Sequence, residues 1–189
     1  MKNILIFASG SGSNAENIIK HFQNNSFISV NAVLTNNTNA KVLEKANRLG
    51  VKTEIFNKNE LLDGSVLKKI KSYNPDLIVL AGFLLQFPEH IINLYENKII
   101  NIHPSLLPKY GGKGMYGSHV HQAVLDNNET ETGITIHYVT KNYDEGDFIF
   151  QKAISIKDCS TVDAIAAKIH ALEMENFPQV IEKLLTQNL

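Results

Sequence analysis

Short runs of β-branched and other apolar residues alternate along this chain with longer segments of helical periodicity. An apolar run of about four to eight residues predicts a buried strand, whereas a 3.6-residue repeat predicts a helix. This alternation is typical of an α/β fold with a parallel sheet and helices on both of its faces. The predicted strands span residues 3–8, 28–35, 52–56, 77–81, 99–102, 132–139 and 147–156, and the predicted helices span residues 14–23, 40–49, 60–73, 118–126 and 161–186.

Length and composition limit the class of protein. The chain has 189 residues, of which 43% are hydrophobic, enough for a buried core. No linker or repeat divides it, so a single domain over residues 1–189 is predicted. The 18 basic and 19 acidic side chains argue against nucleic acid or an anionic membrane as a partner. A single cysteine, Cys159, and the lack of any apolar run of membrane-spanning length predict a cytoplasmic protein.

Asn101 and His103 stand two residues apart where a predicted strand ends. Pro104 removes a backbone donor and favours an extended residue before it. Because residues i and i+2 of a strand point to the same face, the amide and the imidazole are predicted side by side at the carboxyl edge of the sheet, where open α/β sheets bind ligands. Such a pair can stabilise the oxyanion that forms when a nucleophile attacks a carbonyl. A strand end with a half-buried histidine is the plainer alternative.

A glycine-rich turn at residues 10–14 joins the first strand to the first helix. Its glycines let the backbone approach a ligand, and the helix N terminus offers free N–H groups, which together predict a phosphate site. With Ala15 the turn also fits the G-x-G-x-x-A dinucleotide pattern. The second strand ends at Asn36 rather than at an acidic residue for a ribose diol, which argues against a dinucleotide. An ordinary strand-to-helix turn remains an alternative.

A polar loop at residues 140–147 follows the apolar strand predicted at 132–139. Its composition alone favours a solvated turn. In the alternative interpretation, a carboxylate from this loop reaches His103, keeps the imidazole cationic and passes protons through water. The residues by themselves do not select among the three acids, Asp144, Glu145 and Asp147.

Together these stretches resemble the phosphoribosylglycinamide formyltransferases, the folate-dependent transformylases of purine synthesis. The resemblance runs over the whole chain and implies a Rossmann-like fold with a mostly parallel twisted sheet, helices on both faces and an antiparallel C-terminal strand. The Asn-x-His-Pro-Ser-Leu-Leu-Pro motif with a later Asp is shared by other 10-formyltetrahydrofolate enzymes, whereas the glycine-rich turn favours a ribonucleotide substrate. The stretches that carry the resemblance are residues 10–14, 80–83, 101–110 and 144–146, with Glu173 and Phe177-Pro178 in the last helix.

The resemblance implies that Asn101, His103 and Asp144 are catalytic. The formyl group of 10-formyltetrahydrofolate, a cosubstrate, would pass to the amine of glycinamide ribonucleotide, and no metal would be needed. The amine would attack the formyl carbon directly. Asn101 and protonated His103 would hold the oxyanion, while Asp144 would support the imidazolium and move protons.

The resemblance also implies two binding regions, a nucleotide phosphate region in the N-terminal half and a folate region in the C-terminal half, in a monomer or a homodimer. The phosphate would lie on the glycine-rich turn, the glycinamide arm beside Gly82, and the ribose hydroxyls at Glu173. Ordinary core packing is the alternative for residues 84–87. The implied ribonucleotide-binding residues are Gly12, Ser13, Asn14, Gly82, His170 and Glu173. The implied folate-binding residues are Leu84, Leu85, Gln86, Phe87, Lys141, Asn142, Tyr143 and Asp144.

Three features depart from the pattern that is familiar in bacterial members. Leu84-Leu85 stands where Met-Arg is familiar, so an arginine near the folate is missing, and His170 stands where a glutamine is familiar. The glycine-rich loop at residues 110–117 is longer than in the shortest members. We predict that it closes as a lid over the substrate phosphate or the formyl group, with Lys113 as a contact.

Two alternatives come from other functional classes. Four histidines, His103, His119, His121 and His137, suggest a metal site, but residues i and i+2 at a helix start do not share a face, so His119 and His121 make a poor pair of ligands. A nucleotide-binding module without catalysis predicts ligand binding that survives substitution of Asn101 and His103.

Overall fold

The computed structural model describes residues 1–186, which form one seven-stranded sheet with helices on both faces. The strands are β1 (Lys2–Phe7), β2 (Ile28–Thr35), β3 (Lys52–Ile55), β4 (Leu77–Leu80), β5 (Ile99–His103), β6 (Glu131–Tyr138) and β7 (Phe148–Ser155). The helices are α1 (Ser13–Phe22), α2 (Val42–Arg48), α3 (Lys58–Leu62), α4 (Ser65–Tyr73), α5 (Glu89–Ile92), α6 (Ser118–Asp126) and α7 (Val162–Thr186), and a 3-10 turn spans Asn93–Tyr95.

The strand order is β3-β2-β1-β4-β5-β6-β7, and the first five strands in this order are parallel. β6 runs antiparallel to β5 and to β7. The predicted α/β fold, a mostly parallel sheet with an antiparallel strand near the C terminus, is therefore confirmed. The order reverses between β1 and β4, and the loops after these strands meet at the carboxyl edge, where ligands bind in such sheets.

Two hydrophobic cores, one on each face of the sheet, follow from the alternation of side chains along the strands. In β1, Ile4 and Ile6 face α1, α2, α6 and α7, whereas Leu5 and Phe7 face α3, α4 and α5. All four side chains have 0% exposure, because a central parallel strand is covered on both faces.

Between residues 56 and 99 the helices of the structure differ from the predicted ones in two places. The helix predicted over 60–73 is two helices, α3 and α4, because Gly64 adopts a left-handed conformation with φ of 90° between them. Helix α5 and the 3-10 turn after it were not predicted, since a helix of four residues leaves too short a hydrophobic repeat to recognise.

Helix α7 contains a proline and is joined to α1 at that point. Pro178 has no N–H, so the carbonyl of Met174, four residues earlier, loses its helical donor. The side-chain amide of Asn17 in α1 donates to this carbonyl at 2.8 Å. The replacement hydrogen bond holds the middle of α7 against the first helix.

None of the helices within residues 1–186 has the length and apolar character needed to span a membrane.

Candidate active site

A cavity of about 800 Å³ opens at the carboxyl edge of the sheet, where β1, β4 and β5 end. Every residue that the sequence predicted for catalysis or binding lines this cavity. They are Gly12, Ser13, Asn14, Gly82, Leu84, Leu85, Gln86, Phe87, Asn101, His103, Lys141, Asn142, Tyr143, Asp144, His170 and Glu173.

The last residues of β5 supply the amide and the imidazole on what we call the catalytic side of the cavity (Asn101, His103, His137 and Asp144). The register of β5 and β6 places Asn101 opposite His137. The Nδ2 atom of Asn101 lies 3.2 Å from Nε2 of His137, whose Nδ1 lies 2.8 Å from the Tyr138 carbonyl. Because a carbonyl only accepts, Nδ1 of His137 carries a proton, and in the neutral ring Nε2 accepts from Asn101. One amide N–H of Asn101 is thus left for a ligand.

His103 is held in a single orientation at the back of the cavity. Its Nε2 lies 2.7 Å from the Tyr110 carbonyl, so Nε2–H donates to that oxygen, and its Nδ1 faces Asp144 Oδ2 at 3.5 Å. Nδ1 is therefore the ring atom that can gain or lose a proton. Burial lowers the pKa of His103 below its usual value, and the charge of Asp144 opposes this shift without cancelling it. Burial thus favours the neutral imidazole.

Asp144 connects the two histidines of the catalytic side. Its Oδ2 accepts from the Gly112 backbone N–H at 2.9 Å, and its Oδ1 lies 3.5 Å from Nε2 of His137. Burial alone would raise the pKa of Asp144, but His137, the charge of His103 and the Gly112 N–H together hold it below the usual value. A carboxylate that stays ionised between two imidazoles can stabilise either one when it becomes protonated.

The opposite wall, which we call the nucleotide side, is formed by Gly12, Asn14, His170 and Glu173. Gly12 precedes α1 with φ of 69°, and a Cβ there would lie 2.4 Å from Val42 Cγ2, so only glycine fits. Within residues 1–186, the N–H groups of the first turn of α1, Ser13–Ala15, find no acceptor. Free N–H groups at the positive end of a helix are suited to a phosphate.

Glu173 lies deep in the nucleotide side. It accepts from the Asn14 amide at 2.9 Å, and His170 Nδ1 lies 3.8 Å away. Burial raises the pKa of Glu173, against the opposing effects of Asn14 and His170. The side-chain oxygen of Asn14 is itself buried and has no hydrogen-bond donor among the described residues. Both groups therefore have capacity for a polar ligand.

The segment predicted to bind folate divides into core and surface. Phe87 is 4% exposed and belongs to an aromatic cluster, with its ring centroid 5.0 Å from that of Phe7. Leu84 is 52% exposed, and Gln86 donates to the Lys141 carbonyl at 2.9 Å. Core packing thus explains Phe87, while Leu84 leaves an apolar surface next to the 140–144 loop, to which Gln86 is hydrogen-bonded.

The loop at residues 112–117 also lines the cavity and carries one cation, Lys113. Lys113 and Lys141 are the two lysines that line it within residues 1–186, and no arginine does so there. Their side chains therefore supply the permanent positive charge near any anionic ligand.

Three contributors to the site were not predicted in these roles. His137 was considered only as a metal ligand, although an imidazole within the apolar run 134–139 signals a buried polar partner. His121 lines the cavity, and its buried Nδ1 has no partner within residues 1–186. The Tyr110 carbonyl leaves no trace in the sequence. The described residues contain no group of three metal-ligating side chains arranged for an ion.

Comparison with known proteins agrees with this geometry. The formyl transferase family model matches residues 2–181. The chain belongs to the formyl transferase family. A phosphoribosylglycinamide formyltransferase of Escherichia coli (strain K12) is 35% identical over 95% of this chain and 85% of its own, and one of Bacillus subtilis (strain 168) is 34% identical over 100% and 97%. The crystal structure of phosphoribosylglycinamide formyltransferase from Bacillus halodurans has a TM-score of 0.89 at 33% identity, over 100% of this chain and 97% of that one.

Membership of this family confirms the resemblance found in the sequence and makes the chain an enzyme of the formyltransferase class. A nucleotide-binding module without catalysis is accordingly not supported. The individual roles of the lining residues stay predictions.

Proposed function

We propose that this protein transfers the formyl group of 10-formyltetrahydrofolate to the amine of glycinamide ribonucleotide, in purine synthesis. The observation that carries the proposal is the convergence of two chemically different walls on one cavity. An amide, two imidazoles and a carboxylate line the catalytic side, and a free helix N terminus with a buried carboxylate lines the nucleotide side. The relatives that carry the name of this activity support the same substrates.

In the proposed reaction the substrate amine attacks the formyl carbon. A C–N bond forms, the carbonyl oxygen becomes an oxyanion, and the bond from carbon to the folate nitrogen N10 then breaks. The free N–H of Asn101 and a proton on Nδ1 of His103 stabilise the oxyanion. Overall, one proton passes from the amine to N10. His103 is suited to carry it, because burial favours the neutral imidazole, whose Nδ1 can take the proton from the attacking amine. With Asp144 as counterion, that proton then stabilises the oxyanion and passes to N10.

The nucleotide side accounts for the rest of the ribonucleotide. Its phosphate would accept from the free N–H groups at the start of α1, beside Gly12. The carboxylate of Glu173 would accept from the ribose hydroxyls, with His170 next to it. Asn14, which donates to Glu173 and whose side-chain oxygen has no partner among residues 1–186, would connect the phosphate and the ribose sites.

The folate would lie against Leu84, Leu85 and the 140–144 loop. Backbone groups of the loop can pair with a flat heterocycle, and the apolar side chains bury its faces. No lining arginine is present within residues 1–186 for its carboxylates, so Lys141, next to Gln86, is the nearest permanent cation on this wall.

The lid prediction is part of this proposal. The loop at 112–117 lines the cavity, and Lys113 is exposed on it. We expect the loop to close when the ribonucleotide phosphate binds. The proposal also includes small-molecule substrates only, no metal, a cytoplasmic location, and a monomer or a homodimer.

A formyl-transfer assay with 10-formyltetrahydrofolate tests the proposal. Three reactions are compared, with glycinamide ribonucleotide, with other primary amines, and without an acceptor. We expect folate release that depends on the ribonucleotide and matches the formylated product one to one. Equal folate release without an acceptor would instead identify a hydrolase of 10-formyltetrahydrofolate and refute the transferase assignment.

A further inference from the structure

The backbone segment 110–112 touches both members of the His103–Asp144 pair. The Tyr110 carbonyl accepts from Nε2 of His103 at 2.7 Å, and the Gly112 N–H donates to Asp144 at 2.9 Å. Between them, a Cβ on Gly111 would lie 2.6 Å from Leu107 Cδ2 and 3.3 Å from Asp144 Cβ, so the segment packs directly against the pair. Any shift of this segment moves one partner relative to the other.

This segment is held in a conformation that a bulky residue rarely adopts. Tyr110 has φ of 58°, in the left-handed region, where a side chain with a Cβ is strained. A residue keeps such a conformation only when surrounding contacts impose it, and residues of this kind cluster at functional sites. The contacts that hold Tyr110 therefore matter for the orientation of His103.

Glu129, in the turn between α6 and β6, supplies one of these contacts from outside the cavity, in addition to the packing of Tyr110 against the hydrophobic core. Its Oε1 accepts from the Tyr110 hydroxyl at 2.9 Å and from Lys109 Nζ at 2.8 Å. The two bonds fix the side chains of Tyr110, the first residue of the segment, and of Lys109, which directly precedes it. Glu129 does not line the cavity, so its carboxylate touches neither proposed substrate.

We propose that Glu129 is a positioning residue for catalysis, acting through the Tyr110 hydroxyl to set the Tyr110 carbonyl that orients His103. The expected effect on kcat rests on the proposed function. The positioning role goes beyond that function, because it belongs to a residue outside the cavity. Tyr110 transmits the constraint, whereas the bond of Lys109 to Glu129 is exposed and does not reach His103. A carbonyl that always faces Nε2 keeps the proton on that nitrogen and leaves Nδ1 free for proton transfer.

Four variants separate the two bonds. Glu129→Ala removes both, Tyr110→Phe removes only the hydroxyl bond, and Lys109→Ala removes only the ion pair. Glu129→Gln keeps an oxygen that can accept both bonds while removing the charge. We expect Glu129→Ala and Tyr110→Phe to lower kcat about tenfold with both KM values unchanged, because a small misplacement of a catalytic group can cost up to about a hundredfold. Glu129→Gln and Lys109→Ala should retain the wild-type kcat.

A second readout does not depend on activity. In protein with 15N-labelled histidine, the Nε2–H proton of His103, assigned by its loss in His103→Ala, should exchange slowly with solvent in the wild type and in Glu129→Gln. It should exchange rapidly in Glu129→Ala and Tyr110→Phe. Slow exchange in all four variants, or full kcat in Glu129→Ala, would refute the positioning role. If the wild type transferred no formyl group, the proposed function would fail, and the exchange data would still decide whether Glu129 orients His103.

Discussion

The two walls of the cavity differ in how completely their polar groups are satisfied. On the catalytic side, Asn101 pairs with His137, His103 with the Tyr110 carbonyl, and Asp144 with the Gly112 N–H. On the nucleotide side, the first N–H groups of α1 and the side-chain oxygen of Asn14 have no partner within residues 1–186. The side chains of one wall are thus held in place by protein partners, whereas the other wall has more unused hydrogen-bonding capacity.

This difference corresponds to two functions, stabilisation of the transition state and binding of the substrate. Groups that stabilise a transition state are most effective when neighbouring groups already fix their orientation, since no reorganisation is then needed during the reaction. Groups that bind a substrate gain their hydrogen bonds when it arrives, and a buried polar group without a partner makes that gain larger. Substitutions on the catalytic side should therefore lower kcat, and substitutions on the nucleotide side should raise KM.

The largest expected effect is on the catalytic side. Asn101→Ala and His103→Ala should each lower kcat by about a hundredfold to a thousandfold, the usual cost of losing one oxyanion donor. The KM of the ribonucleotide should change little, because neither side chain belongs to the nucleotide side. Steady-state kinetics with both substrates measures the two constants. A large rise in KM at constant kcat would contradict the assignment of catalysis to one wall and ribonucleotide binding to the other.

The next effect concerns Glu173. Glu173→Gln should raise the KM of the ribonucleotide about tenfold and leave kcat nearly unchanged, since a hydrogen bond to a charged group contributes about 1.5 to 3 kcal/mol. The largest difference in KM is expected on the alkaline side of the raised pKa of Glu173, where the wild-type carboxylate is charged.

The pH dependence of the ribonucleotide KM, compared between the wild type and Glu173→Gln, tests the same role further. Because burial raises the pKa of Glu173, its carboxylate takes up a proton at a higher pH than an exposed glutamate does. As pH falls through this raised pKa, the wild type should lose the charged acceptor and its ribonucleotide KM should rise. The glutamine variant cannot titrate and serves as the control for titration of the substrate phosphate. Identical pH profiles would show that Glu173 does not bind the ribonucleotide.

The sequence was sufficient to predict the amide and imidazole of the catalytic side, for a local reason. Asn101 and His103 share a face because the side-chain period of a strand is two, and Pro104 marks where the strand ends. The glycine-rich turn was equally readable as a turn between the first strand and the first helix, where Gly12 adopts a positive φ of 69°. Both features depend on a few consecutive residues.

Features that depend on distant segments were not readable from the residues alone. Asp144 could be chosen over Glu145 only through a family resemblance, because its position depends on a loop in which it has φ of 57°. The pairing of His137 with Asn101 depends on the register of β6 against β5. The Tyr110 carbonyl is a backbone group that every residue possesses, so only the folded chain shows which one faces His103.

A smaller effect is expected at the junction that positions the nucleotide side. Asn17→Ala leaves the Met174 carbonyl without a donor in a partly buried position, which should destabilise the protein by about 1 to 3 kcal/mol. Because Glu173 is the neighbour of Met174 and Asn14 precedes Asn17 by less than one turn of α1, the ribonucleotide KM should rise modestly while kcat is preserved. Denaturant unfolding and kinetics measure the two effects, and a fall in kcat alone would contradict the expectation.

The smallest expected effect concerns the two exposed lysines, which face different substrates in the proposed complex. Lys113→Ala should raise only the ribonucleotide KM and Lys141→Ala only the folate KM, each about two- to fivefold, because an exposed ion pair contributes about 1 kcal/mol or less. Both effects should shrink as salt increases, since the charges are solvated and screened. Each variant is the matched control for the other. If Lys113→Ala lowered kcat instead, the loop at 112–117 would belong to the catalytic side. Its Gly112 N–H already donates to Asp144 on that side.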